Sequence, residues 1–210
     1  MECIDVANKG KRAWWVAPSY KISQVGWRPL RRIGGRIPGS EVRLGDLSVI
    51  MPSGGEVVVR SADNPDSLRG EGLDFVVLDE CAFMKQEAWS EALRPALSDR
   101  QGRALFISTP RGRNWFWDLY QRGISAEDGW QSFTFPTSAN PYIPASEIEA
   151  ARKELPEIIF RREYLAEFVD SEGAVFRRVQ EAAVLDPLEG PLPGHQYSAG
   201  VDVASSVDYT

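Results

Sequence analysis

Histidine and cysteine are scarce in this 210-residue chain: one His (His195) and two Cys (Cys3 and Cys81). Two distant cysteines make no disulfide framework, which points to a reducing compartment. With a single histidine they also argue against a structural zinc site or a His-Glu-x-x-His protease helix. Long apolar runs are missing too. The longest resemble Phe75-Val76-Val77-Leu78, so no membrane-spanning helix is expected. The opening Met1-Glu2-Cys3-Ile4-Asp5 has early acids and no apolar stretch. No secretory leader is therefore expected, and the cytoplasm is the expected location. There is no internal repeat and no low-complexity tract. What is present is an ordinary globular composition, 43% hydrophobic and 26% charged. The length suits one domain or one and a half.

Charge is unevenly spread. Residues 1–43 carry nine Lys and Arg against three acids, a net +6, which leaves −12 for the rest of a chain whose formal charge is −6. A basic segment can meet phosphates through counterion release. It can equally be a solvated helix face.

The apolar pattern predicts alternating strands and helices. Residues 13–17 read as a buried strand ended by Pro18, with Ser19 capping a helix toward Arg32 that Gly26 and Pro29 weaken. Residues 42–51 and 56–61 read as two strands around the turn at 52–55. Asn64, Pro65 and Gly70 frame one short helical turn. Residues 73–78 and 104–107 read as buried strands, and 131–135 as an alternating one. Helices are expected over 87–97, from 115, from Ser146 with Glu149 as a capping box, and from Pro156. In that last helix Ile158, Ile159, Tyr164, Leu165 and Phe168 are expected to face inward. Near-continuous apolar strands between helices imply an α/β fold with a mainly parallel sheet covered on both faces. Function in such sheets sits at the carboxyl ends of the strands.

Two strand ends carry chemistry. In Phe75-Val76-Val77-Leu78-Asp79-Glu80 the first acid could hold a Mg²⁺ ion and the second could orient an attacking water beside a nucleotide. Ile107-Ser108-Thr109-Pro110 places Thr109 29 residues after Glu80, where a hydroxyl could sense a γ-phosphate. Taken singly, each is equally a polar strand terminus.

In combination these residues resemble the large terminase subunit of tailed phages, the motor that packages viral DNA. The resemblance runs through Trp15-Val16-Ala17-Pro18-Ser19-Tyr20, the segment from Ser61 to Gly70 with Val76-Val77-Leu78-Asp79-Glu80, and Ser108-Thr109-Pro110-Arg111-Gly112 with Trp115-Phe116. It continues through Phe160-Arg161-Arg162-Glu163-Tyr164-Leu165-Ala166-Glu167-Phe168 and Gly200-Val201-Asp202-Val203-Ala204. It implies a P-loop NTPase-like ATPase domain over 1–170, a linker over 171–196 rich in Pro and Gly, and the first strand of a ribonuclease-H-like nuclease domain over 197–210.

The resemblance also implies roles. Asp79 becomes the Mg²⁺ carboxylate, Glu80 the catalytic glutamate and Thr109 the coupling residue. Arg69, 11 residues before Glu80, stands where some terminases carry an arginine finger. Arg111 and Arg113 are alternatives, and an ordinary surface arginine remains open for Arg69. Asp202 becomes a nuclease metal ligand, with Asp208 assisting a two-metal site. The implied cofactors are ATP with Mg²⁺ and divalent ions for the nuclease. The implied partners are double-stranded DNA, the portal, the small terminase subunit and other copies in a ring at the procapsid.

One required feature is absent. No Gly-x-x-x-x-Gly-Lys-Ser/Thr loop occurs. Gly10-Lys11 is followed by Arg12, and Asp5 occupies the first glycine position. The expectation is a segment truncated at both ends, whose missing phosphate-loop strand belongs beside the strand leading to Thr109. That strand's edge is expected to be unpaired, and the chain alone to lack ATPase and DNA cleavage. A helicase-like ATPase, or a non-catalytic module binding DNA or portal, are the other readings.

Overall fold

The computed structural model describes residues 1–169 together with residues 190, 194 and 196. Of two compact units, Met1–Glu172 and Gly173–Thr210, the first holds every helix and strand among the described residues. The strand expected over 197–210, with Asp202 and Asp208, lies outside them, as does almost all of 171–196.

Helix α1 (Glu2–Asn8) leads into β1 (Arg12–Ala17) and then α2 (Tyr20–Gly34). Ser19 caps α2, its hydroxyl accepting the Ile22 amide. The two residues expected to weaken α2 are both accommodated. Pro29 removes a bond to the carbonyl of Val25, but both residues lie on the solvent side, where water replaces it. Gly26 faces inward, and a Cβ there would stand 2.4 Å from the Trp15 indole nitrogen. Only glycine lets that ring lie against the helix.

Residues 42–51 are not one strand. They form a hairpin of β2 (Glu41–Arg43) and β3 (Ser48–Ile50), because Gly45-Asp46 turns the chain and Leu47 adopts a positive φ of 49°. The chain then runs through β4 (Glu56–Ser61), a 3₁₀ turn at Pro65–Leu68 and β5 (Phe75–Asp79). The helix expected over 87–97 splits into a π-helical segment, Ala88–Leu93, and α3 (Arg94–Ser98). Pro95 has no N–H for the Glu91 carbonyl four residues earlier, so regular α-helical bonding cannot pass through it. After β6 (Arg103–Ile107) come α4 (Trp115–Ile124), α5 (Ala145–Glu154) and α6 (Glu157–Leu165). The capping box expected at Ser146 is not made; α5 starts one residue earlier behind Pro144. In α6 the fully buried side chain is Phe160, while Ile158, Ile159, Tyr164 and Leu165, expected to point inward, are only partly covered; Phe168, also partly covered, lies past the helix end.

The sheet order is β2-β3-β4-β1-β5-β6. β4, β1, β5 and β6 are parallel, and β3 and β2 add an antiparallel flank. β4, β1 and β5 are covered on both faces, which explains their unbroken apolar strands. β6, expected to be buried, is not, because no described element covers one of its faces, where Leu105 and Ile107 are exposed. On one face Trp14, Val16, Val76 and Leu78 pack against Leu68, Ala92, Leu93 and Leu97. On the other, Ala13, Val57, Phe75 and Val77 pack against Cys3, Ile4, Trp27 and Leu30 from α1 and α2. Each such large side chain removed from water contributes about 1.5–3 kcal/mol. This core carries Ala17, Ser61, Asp79 and Ile107 to one rim, where Ala17 pairs with Ser61 and Asp79 with Ile107.

Among the described strands β6 pairs only with β5, so its outer edge is open. Residues 131–135 form no strand, because no neighbouring strand offers them hydrogen bonds. Ser132 instead donates its hydroxyl to the Tyr120 carbonyl at 2.8 Å, and Phe133 stacks on Phe135 in solvent. A cavity of about 1050 Å³ separates this segment from the β6 edge; it is lined by residues 103–108 on one side and 129–135 on the other.

Candidate active site at the carboxyl rim of the sheet

Asp79 ends β5, and the chain then bends sharply. Glu80 sits at φ 53°, ψ 42°, the left-handed region that an L-residue enters at a cost of about 1–2 kcal/mol. A 3₁₀ turn, Cys81–Phe83, follows. Three bonds from the β6–α4 connection hold this turn. Ser108 Oγ accepts the Ala82 amide at 3.2 Å, Asn114 Nδ2 donates to the Ala82 carbonyl at 2.9 Å, and Trp115 Nε1 donates to the Met84 carbonyl at 3.0 Å. Asn114 also caps α4 by accepting the Phe116 amide.

The acid pair is therefore tied to the next strand end. Ser108 Oγ lies 3.3 Å from Glu80 Oε2 and 3.0 Å from the carbonyl of Thr109. Asp79, Glu80 and Thr109, three residues singled out in the sequence, meet here on adjacent strand ends, all half-buried. Burial, and then the neighbouring Glu80 charge, push the Asp79 carboxyl above the usual carboxylate range. The Glu80 backbone partly offsets this; the buried Trp15 indole nitrogen closes no hydrogen bond. Ser108 and Asn114 join the site through contacts that no local pattern announces; the one signal the sequence holds for Asn114 is an Asn just ahead of a helix.

Arg69 is engaged elsewhere. Its Nε donates to Asp66 Oδ1 at 2.9 Å, Nη2 to Glu91 Oε2 at 2.9 Å and Nη1 to the Glu91 carbonyl at 2.7 Å. That carbonyl is the one Pro95 leaves without an α-helical donor. Arg111 lies over the half-exposed Phe83 ring, and Arg113 over Trp117. Gly10 and Lys11 precede β1 and so stand at the amino edge of the sheet, opposite the acids.

Two adjacent carboxylates suit a hard divalent ion that keeps several waters and takes its other ligands from a nucleotide's phosphates. No three His, Cys, Asp or Glu side chains converge among the described residues, so the acids alone form no closed metal cage. They fit Mg²⁺ through Asp79, whereas no loop among these residues fits the phosphates.

One further surface is distinctive. Residues 6–40 contain no acid. Lys21, Arg28 and Arg32 share the solvent face of α2, opposite its buried Ser23, Trp27 and Leu30. No described helix is long and apolar enough to cross a membrane.

A mainly parallel sheet of this order, with acids at one strand end and hydroxyls at the next, has the P-loop NTPase-like architecture. The family model described as "Terminase large subunit, T4likevirus-type, N-terminal" matches residues 36–183. The terminase large subunit of Thermus virus P23-45 is 30% identical over 97% of this chain and 51% of its own length. The solved large terminase ATPase domain of Thermus phage P74-26 superposes with a TM-score of 0.64 at 32% identity, covering 78% of each chain. The large terminase of a second thermophilic bacteriophage, solved in complex with ADP, gives 0.64 at 18% identity over 79% of this chain and 42% of its own, a likeness of fold alone. The chain belongs to the terminase large subunit family, and it spans about half the length of the curated relatives it matches.

Proposed function

We propose that this chain is part of the ATP-hydrolysing unit of a phage motor that drives double-stranded DNA into a procapsid. The observation that carries the reading is the meeting of Asp79 and Glu80 with the Ser108-Thr109 strand end, in a chain of the terminase family. Mg²⁺, when bound with ATP, would neutralise phosphate charge. Asp79 would hold that ion, partly through water. Glu80 would orient the attacking water, its carboxylate aimed by the left-handed bend. Thr109 would report phosphate state to the sheet. Arg69 would serve as a finger only by exchanging Asp66 and Glu91 for a neighbouring subunit's phosphate.

The phosphate cradle is assigned to polypeptide outside this sequence. Its strand would fill the opening between β6 and residues 131–135, giving both edges a partner and closing the cavity. The basic face of α2 would meet the DNA backbone. On the same reading Asp202 and Asp208 would hold nuclease metal ions, and the portal, the small subunit and other copies of the chain in a ring would be its partners. The host cytoplasm would be its location.

A DNA-binding module without hydrolysis is the second reading, favoured by the basic α2 face. The two separate in one experiment. A longer polypeptide that contains this sequence and a phosphate loop should move double-stranded DNA with ATP, and Glu80→Gln should abolish movement while DNA binding persists. Binding without any ATP turnover, in the wild-type sequence, would favour the module.

A further inference from the structure

We propose that Ser108 is a positioning residue for Glu80, and that it connects the glutamate to the peptide of Thr109. The inference rests on the reading of Glu80 as the residue that orients water. Thr109 is the hydroxyl that the sequence pattern points to, yet the side chain that reaches the glutamate is its neighbour. Ser108 Oγ receives the Ala82 amide at 3.2 Å, which fixes the oxygen beside the turn that follows the acids. Its single proton then has two acceptors within reach, Glu80 Oε2 at 3.3 Å and the Thr109 carbonyl at 3.0 Å. One proton serves one of them well at any moment.

The 3.3 Å contact is long for a hydroxyl on a carboxylate. Catalytic hydrogen bonds of this kind tighten when the reacting complex forms. Ser108 is thus a two-position donor. With the Ser108 hydroxyl donating to the Thr109 carbonyl, Glu80 is released. When the peptide at 109 turns away, the same hydroxyl donates to Glu80 Oε2 and holds the carboxylate in place. Glu80 depends on such help, because its left-handed backbone aims the side chain without pinning its outer oxygens. Strand β6 thereby acts on the glutamate through a hydroxyl, and any motion of the strand end changes how Glu80 is held.

The test has two arms. In this chain, with glutamate labelled at the carboxyl carbon, Ser108→Ala should move the Glu80 resonance and leave remote glutamates such as Glu41 and Glu127 in place. Ser108→Thr should restore the wild-type position. Ser108→Cys keeps the side chain's reach with a weaker donor, and it should shift Glu80 even if the alanine variant fails to fold. An unmoved Glu80 in a folded Ala or Cys variant overturns the proposal. In a longer polypeptide that turns over ATP, Ser108→Ala should lower kcat about ten-fold with KM for ATP unchanged, and Ser108→Thr should recover most of it. A loss of stability with kcat unchanged would leave Ser108 a mere brace for Ala82 and defeat the idea. If the longer wild-type polypeptide shows no turnover, the motor reading fails, while the carboxyl resonance still decides whether Ser108 holds Glu80.

Discussion

Gly26→Ala is expected to destabilise the protein, against the direction that helix propensity gives. In the middle of α2, alanine is favoured over glycine by about 0.8–1 kcal/mol, and it also restricts the unfolded chain. The site decides otherwise. The new methyl would stand 2.4 Å from the Trp15 Nε1 and 2.8 Å from two carbons of the same ring, closer than side chains pack. The indole must swing or α2 must lift, and overpacking of this kind costs about 1–3 kcal/mol. The net loss is then about 1 kcal/mol, or about 2–4 °C in Tm for a domain of this size. Val25, next door and 63% exposed, supplies the control, because Val25→Ala adds helix propensity without a clash. Urea melts of the three proteins, followed by circular dichroism, should rank Val25→Ala at or above wild type and Gly26→Ala below it. A Gly26→Ala protein as stable as wild type would refute the packing of Trp15 against α2.

Other outcomes follow from the same structure. Because the folded-state value of Asp79 is raised, its ionisation removes stability as pH rises through that value. Asp79→Asn should therefore be more stable than wild type at pH 7, with the gain vanishing below about pH 4, where the unfolded chain is also protonated. Burial pushes the Cys3 thiol up to about 12 and raises Cys81 as well, so neither should react with a thiol reagent at pH 8 until denaturant is added. In hydrogen exchange, alternate amides of β6 that point to its open edge should exchange far faster than those of β5; uniform protection in a monomer would contradict the open edge. Arg28→Glu with Arg32→Glu should weaken binding to double-stranded DNA and reduce the salt slope by about 0.9 for each lost phosphate contact. An unchanged slope would remove α2 from the interface.

Strands buried on both faces were legible because their side chains are apolar without interruption, as at Phe75 to Leu78. Ala104 to Ile107 reads the same way, yet Leu105 and Ile107 face outward, because a sequence does not show which strand ends the sheet. The rim that gathers Asp79, Glu80 and Thr109 follows from strands running in one direction. Legibility stopped where a distant partner decides the local state. Residues 131–135 alternate like a strand, yet a strand needs a neighbour, and the neighbouring position is a cavity. The hairpin at 42–51 hid behind apolar residues on either side of Gly45-Asp46. A π-helical segment ahead of Pro95 has no local pattern of its own. The ties from Ser108, Asn114 and Trp115 to the turn after Glu80 cross 26 to 32 residues, and no spacing rule reports them. Arg69 shows the same limit from the other side. Its position suggests a finger, and its bonds to Asp66 and Glu91 appear only in the folded chain.

On the proposed function, Asp79 and Glu80 handle the metal and the water of ATP hydrolysis. Mn²⁺ added with ATP to a longer polypeptide that carries the phosphate loop reports this directly, through paramagnetic broadening of nearby resonances. Broadening should centre on Asp79, Glu80, Ser108 and Thr109 and be lost in Asp79→Asn. Broadening centred on any other part of the sheet, with these four residues sharp, would rule that role out.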